Sequence, residues 1–500
     1  MRRTMVVMVA AVATLLAAAL PAAAQPERAP ADQEDQVDFN GDAFADLAVG
    51  APGEGVGGAV GAGALNVLYG SATGLEPSAD IFTQGSGGVQ GTAETDDSFG
   101  AAVTEGNFNG DEFFDLAVGA PGEAVGSDAG AGAVNILYGS AAGLGGGPLF
   151  VQSNPEAGDG FGASLATADF DGDGFFDLAV GVPGENVGGV VDAGAVTVLF
   201  GGPGGITSAG SQTLWQGNGA AGRAEGGDSF GLSVATGLLA GDDLADLVVG
   251  APGEGVGTVE GAGAVNLLAG SAGGLVNGSL ATQGNPEVGD VFGFAVATGD
   301  FDNTAGDDVV AGAPGETVNG HPGAGAASVF NGPPTGLASE RLLFQGSSGI
   351  PGAAETGDSF GAAVAPTDTD AIGQWDLAVG APGEDIGPDV DAGAVNLLAG
   401  SVTGPSGGSL VQQSNPEDFD SFGQAIAGGF FLHDFDGNGF FDLAVGAPLE
   451  RVGAEQSAGL VSVFYASGGG VFGASESFTQ DSPGLGGSSE AFDFFGAALE

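Results

Sequence analysis

Apolar runs of four to eight residues, each stopped by Gly or Pro, alternate with polar loops along most of the chain. The stretch 159–216 shows the pattern most clearly. Phe161-Gly162-Ala163-Ser164-Leu165-Ala166 predicts a short strand, and 169–177 an acidic loop. Leu178-Ala179-Val180-Gly181 predicts a second strand, halted by the turn signal Pro183-Gly184. A third, 193–200, is rich in β-branched residues, and a fourth runs over 211–216 around Trp215. No segment sustains a helical period.

The same unit returns seven times. Its Gly-Ala-Pro-Gly-Glu phrase or a close variant places prolines at Pro52, Pro121, Pro183, Pro252, Pro314, Pro382 and Pro448, 62–69 residues apart. Phe-Gly pairs recur in phase, from Phe99 to Phe495, and fourth strands end in Gln at Gln84, Gln152, Gln216, Gln283, Gln345, Gln412 and Gln480. A fixed period means one supersecondary unit packed against its own copies. Four short strands per unit predict an all-β fold, a seven-bladed β-propeller of four-stranded antiparallel blades. The phase adds a detail. The first acidic loop, at Asp38, has no Phe-Gly strand before it, and the last such strand, 495–499, has no loop after it. The N- and C-terminal segments are therefore expected to complete one blade together, which shields edge strands. The other reading is a chain that stops inside an eighth unit.

The first residues read as a leader rather than as fold. Arg2 and Arg3 precede an apolar run from Met5 to Leu20, and Ala22-Ala23-Ala24 supplies a small-residue cleavage pattern. A signal peptide over 1–24, an extension over 25–36 and the propeller over 37–500 are expected, with a secreted, extracellular or periplasmic destination. A retained anchor is the alternative. No later segment reaches the roughly 18 uninterrupted apolar residues that a spanning helix needs. There is no cysteine, so stability has to come from something other than disulfides.

Charge narrows the partners. Asp and Glu number 64 against six Arg and no Lys, for a net charge of −58. Such a surface repels phosphate backbones and attracts cations, so nucleic acid is not an expected partner. The acidic loops concentrate this chemistry. In 169–177, oxygen side chains fall at positions 1, 3, 5 and 9 (Asp169, Asp171, Asp173, Asp177), and the Phe175 carbonyl at position 7 adds one more. Ca²⁺ favours six to eight oxygens, whereas Mg²⁺ demands stricter geometry. An EF-hand would need a bidentate acid at position 12, where Val180 stands, and flanking helices. Full sets also occur at Asp38, Asn40, Asp42, Phe44 and Asp46; at Asn107, Asn109, Asp111, Phe113 and Asp115; and at Asp434, Asp436, Asn438, Phe440 and Asp442. The fifth copy keeps Asp300, Asp302 and Asp308 with Thr304 between, and the sixth keeps Asp368, Asp370 and Asp376 with Ile372. The fourth keeps only Asp242 and Asp246. Four good Ca²⁺ sites, two weaker ones and an empty fourth loop are expected. The alternative is a set of polar Asp-Gly turns without metal.

These residues resemble the FG-GAP repeat of the integrin α-subunit head. The Phe-Gly pair, the Asp-x-Asp-x-Asp-x-x-x-Asp loop and the Gly-Ala-Pro run stand in family order from about Val37 to Leu499. The resemblance implies a seven-bladed propeller with Ca²⁺ in hairpins on one face and ligands on the other. No integrin leg or membrane span is recognisable, so the expectation is a monomeric extracellular binding or adhesion module for a protein or glycan. The alternative is a propeller-scaffold enzyme, such as a polysaccharide lyase or phosphodiesterase-type hydrolase. Catalysis is not expected, because the inventory of bases is thin. The two histidines, His321 and His433, read as surface residues. The Glu that ends each repeated phrase (Glu54, Glu123, Glu185, Glu254, Glu316, Glu384 and Glu450) reads as a solvated or turn-capping acid, and the loop phenylalanines as packing.

Overall fold

The computed structural model describes residues 36–239, 241–242, 244–304, 306–332, 337–428 and 433–500. The expected leader and all of the extension but Gln36 lie outside the described residues. Among them every regular element is a strand.

The strands form seven small sheets that make a seven-bladed β-propeller. Blade 3 is representative: Leu165–Ala168, Asp177–Val182, Ala195–Phe200 and Thr207–Gln216 pair antiparallel in chain order. Among the described residues it alone carries an extra two-residue strand, Gly219–Ala220, parallel to its outer edge. Blades 2, 4, 5, 6 and 7 repeat the four-strand order over 102–150, 234–281, 296–343, 364–411 and 425–478. The first strand of each blade touches the first strand of the next, so these strands surround the axis. Second strands such as Asp115–Ala120 are buried along their whole length. A strand covered on both faces carries a continuous apolar run rather than an alternating one, which is what Asp-Leu-Ala-Val-Gly-Ala supplies.

The expected closure is present. Ala498–Leu499 pairs with Leu47–Ala51, and blade 1 reads in spatial order as the C-terminal strand followed by three N-terminal ones. Backbone bonds between Glu500 and Ala48 extend that pairing.

One expectation is corrected. Phe161-Gly162 is not part of a strand; regular pairing begins at Leu165. The Phe is fully buried and its backbone bridges to Gly132 at the start of the previous blade's third strand. All seven Phe-Gly pairs are buried, and Phe161, Phe230, Phe292, Phe360, Phe422 and Phe495 make the same bridge. The Phe161 N–H donates to Ala131, and a Cβ on Gly132 would lie 2.3 Å from the Phe161 carbonyl oxygen. The Phe-Gly turn is thus a wedge between blades, and its partner glycine is required by backbone contact.

Candidate metal centres

In blades 2–7 the acidic loop joins the first strand to the second, and in blade 1 it leads from Val37 into the second strand, so all seven open on one face. The loops are built from Asx turns. Asp169 Oδ1 accepts from the N–H of Gly172 at 2.7 Å, and its Oδ2 accepts from Gly174 at 2.9 Å. Asp171 Oδ1 accepts from Asp173, and Asp173 Oδ1 from Phe175. Asp38, Asn40 and Asp42 repeat the ladder in the first loop, and Asn107, Asn109 and Asp111 in the second. In the seventh, Asp434, Asp436 and Asn438 do so.

Carboxylate oxygens converge in three copies. Ligand atoms of Asp169, Asp171 and Asp177 lie within 4.8 Å of one another, as do those of Asp300, Asp302 and Asp308, and those of Asp434, Asp436 and Asp442. These clusters can hold a metal ion. The all-oxygen donor set suits a hard cation. The first loop brings no such acid triad together, because Asn40 rather than an acid stands at its position 3. Asn107 and Asn109 leave the second loop with two acids at its ligand positions, Asp111 and Asp115. In the sixth, Asp368 and Asp370 accept from Ala371 and Ile372. The loop phenylalanines pack as expected: Phe113, Phe175 and Phe44 lie against Gly41, Gly110 and Gly437 of a neighbouring hairpin.

Position 9 has a role beyond ligation. Asp177 Oδ2 accepts from Phe170 N–H at 3.0 Å and its Oδ1 from Gly201 N–H at 2.9 Å. The same two-armed staple is made by Asp46, Asp115, Asp308, Asp376 and Asp442. Asp246 makes it in the fourth loop, which lacks most other donors. All seven are buried. Burial pushes six of these carboxyls up, to about 8 for Asp46 and Asp442, about 7 for Asp115, Asp177 and Asp308, and upward for Asp376. The backbone donors pull the other way, and the neighbouring acids add to the rise.

The opposite face carries a second acidic ring, and here the sequence reading is corrected. The recurrent Glu is not a solvated acid. Gln84 Nε2 donates to Glu123 Oε2 at 2.7 Å across a blade junction. Gln152–Glu185, Gln216–Glu254, Gln283–Glu316 and Gln345–Glu384 repeat this clasp. In the sixth blade Gln413, not Gln412, reaches Glu450. Gln480–Glu54 closes the circle between residues 426 apart in sequence. Beside each clasp sits a buried Asp (Asp97, Asp159, Asp228, Asp290, Asp358, Asp420, Asp493) that accepts from the N–H of a Glu three residues earlier. The recurring Glu-x-x-Asp-x-Phe-Gly spacing was the available signal for these residues. Burial, then neighbouring acids, pushes Glu254, Glu316, Glu384 and Glu450 up to about 7.

His321 is exposed, as expected, but His433 is buried against Phe435, and burial lowers it to about 4. Among the described residues no helix is long and apolar enough to cross a membrane.

FG-GAP repeats are matched at residues 35–68, 99–137, 161–199 and 431–464. The chain therefore carries FG-GAP repeats on a seven-bladed propeller. It is 36% identical over 148 residues to rat phosphatidylinositol-glycan-specific phospholipase D, covering 29% of this chain and 17% of that protein. It is 33% identical over 235 residues to integrin alpha-PS2 of Drosophila melanogaster, covering 44% of this chain and 15% of that one. The chain thus spans less than a fifth of the length of either relative. Among solved structures, a Lactobacillus plantarum protein aligns over 91% of this chain and 98% of its own at 10% identity and a TM-score of 0.44. A Bacillus licheniformis rhamnogalacturonan lyase aligns over 71% of this chain and 66% of its own at 12% identity and 0.33.

Proposed function

We propose that the chain is a secreted, calcium-binding β-propeller that acts as an extracellular binding or adhesion module for a protein or glycan. The observation that carries this reading is the convergence of Asp169, Asp171 and Asp177, repeated in the fifth and seventh loops. Clustered carboxylates repel one another, and a bound Ca²⁺ removes that repulsion and contributes folding energy. The domain limits expected from the sequence, 1–24, 25–36 and 37–500, are part of the same proposal, as is monomeric behaviour.

A ligand surface is proposed on the clasp face. Phe419 and Phe492 are exposed there at 57% and 55%, with φ of 70° and 71°. Four of the other blades place Gly158, Gly227, Gly289 and Gly357 at this left-handed position. A Phe here costs both strain and exposed apolar area, so contact with a partner is the reading that gives it a purpose. Binding is favoured over catalysis because the grouped acids are engaged in hairpin staples and clasps.

The test is calorimetric titration of the mature chain with Ca²⁺, paired with pull-down and glycan-array screening with a turnover readout. Saturable Ca²⁺ binding and Ca²⁺-dependent capture without product support the module. No heat of Ca²⁺ binding removes the metal reading, and product formation replaces the module with an enzyme.

A further inference from the structure

The axis of the propeller holds a group of polar side chains that neither hairpins nor clasps use. Glu105 pairs with Leu116 in register, the position that Thr167, Thr236 and Thr298 hold in the next three blades. Those threonines are satisfied: each hydroxyl donates to the backbone carbonyl of Glu105, Thr167 or Thr236 in the preceding blade. Glu105 breaks the pattern. It is 2% exposed, its Oε2 has no partner, and the Glu500 side chain shares the same cavity wall. The Val37–Asp46 backbone bond matches the Gly106–Asp115 pair, which sets Gln36 at the same ring position in the adjoining blade. Gln36 is 7% exposed, and its Oε1 is also buried without a partner.

A buried carboxyl is costly unless paired or hydrogen-bonded. None of the described arginines reaches this one: Arg223 faces Glu225, Arg341 donates to the Thr403 carbonyl, and Arg451 is exposed. The cavity beside Glu105 and Glu500 has a volume of about 150 Å³ and is lined by Thr104, Thr167, Thr236 and Thr298. It continues through Leu165, Val234, Val296 and Val364 into a mouth of about 280 Å³ with Val103, Leu232 and Phe294 on its wall. Ala102 and Ser164 place that mouth at the clasp end of the first strands.

We propose that this axial cavity binds a small primary alkylammonium ion, its nitrogen at Glu105 and Glu500 and its aliphatic stem in the mouth. An ammonium offers three N–H donors, and the cavity wall presents the Glu105 and Glu500 carboxyls beside threonine hydroxyls. A bare Ca²⁺ would seek six to eight oxygens, and the apolar wall gives it none. From Glu105 to Val103 the strand rises roughly 6–7 Å, which suits a chain of about five methylenes.

The experiment titrates n-pentylammonium into the chain by calorimetry in saturating Ca²⁺, with methylammonium as the short control. One-to-one binding is expected, weakened at least tenfold for methylammonium and at least tenfold in Glu105→Thr, which restores the ring residue. Glu105→Gln keeps the shape and gives the same loss should the Thr variant fold poorly. Absence of saturable n-pentylammonium binding overturns the proposal, as does unchanged affinity in both variants. Equal affinity for methylammonium overturns the assignment of the mouth to the stem.

Discussion

The position-9 aspartates separate two roles that one residue type carries, and the fourth loop supplies the control. Asp246 staples Leu239 and Gly270 but has few companions for a metal, whereas Asp177 staples Phe170 and Gly201 inside a carboxylate cluster. Replacing either by Ala strands two buried N–H groups. Hydrogen bonds to a charged acceptor contribute about 1.5–3 kcal/mol each. Removing a buried carboxylate returns part of that, which leaves a net loss of about 2–4 kcal/mol for each variant. Metal adds a second increment to Asp177 alone. At a free Ca²⁺ concentration near 100 times Kd, one site stabilises by about 2.7 kcal/mol. Urea unfolding followed by tryptophan fluorescence, in chelator and in Ca²⁺, reads both. D246A should lose the same stability in each condition. D177A should lose up to about 2.7 kcal/mol more in Ca²⁺ than in chelator. Equal losses for D177A under both conditions would refute a metal at 169–177 and leave Asp177 as a staple only.

Other expectations follow from the same geometry. The raised carboxyls of Asp115, Asp177 and Asp308, near 7, and of Asp46 and Asp442, near 8, bind protons more tightly folded than unfolded. Their contribution to stability is full below about pH 4 and lost as pH rises through 7–8, so in chelator the melting temperature should fall from pH 6 to pH 8.5. A rise over that interval would contradict it, and Ca²⁺ should flatten the slope. Gly132→Ala places a Cβ 2.3 Å from the Phe161 carbonyl oxygen at a φ of 85° and should cost at least about 3 kcal/mol. Gly188→Ala, with open space around it, should cost about 1 kcal/mol, and similar melting points for the two would count against the wedge. Removing 495–500 deletes the closing strand, and faster proteolysis of 47–82 with gain of self-association is expected; an unchanged digestion pattern would deny the closure its role.

The seven-fold period, the strand order and the meeting of 495–499 with the first blade were legible because apolar runs and turn residues repeat in phase. The hairpin ladder was legible as oxygen donors at alternate positions. What escaped was everything that joins blade to blade. Phe161 looked like the start of a strand because an apolar residue beside Gly reads alike in a strand and in a wedge, and only Gly132 across the junction distinguishes them. Glu123 looked solvated because its partner, Gln84, lies 39 residues upstream. Asn at position 3 of the first and second loops keeps the oxygen-donor pattern that the sequence shows while removing one of the acids that gather in the third, fifth and seventh.

The closing strand sets where the ring can be cut. Glu500 pairs with Ala48, and the next position inward in that strand belongs to Gln36. The two ends of the described fold therefore arrive as successive rungs of one ladder. Joining them directly and opening the chain in the turn at Gly468-Gly469-Gly470 would transfer the seam from the first blade to the seventh without losing a rung. A circular permutant of that design should retain the native disc, since no blade in a closed ring is intrinsically first.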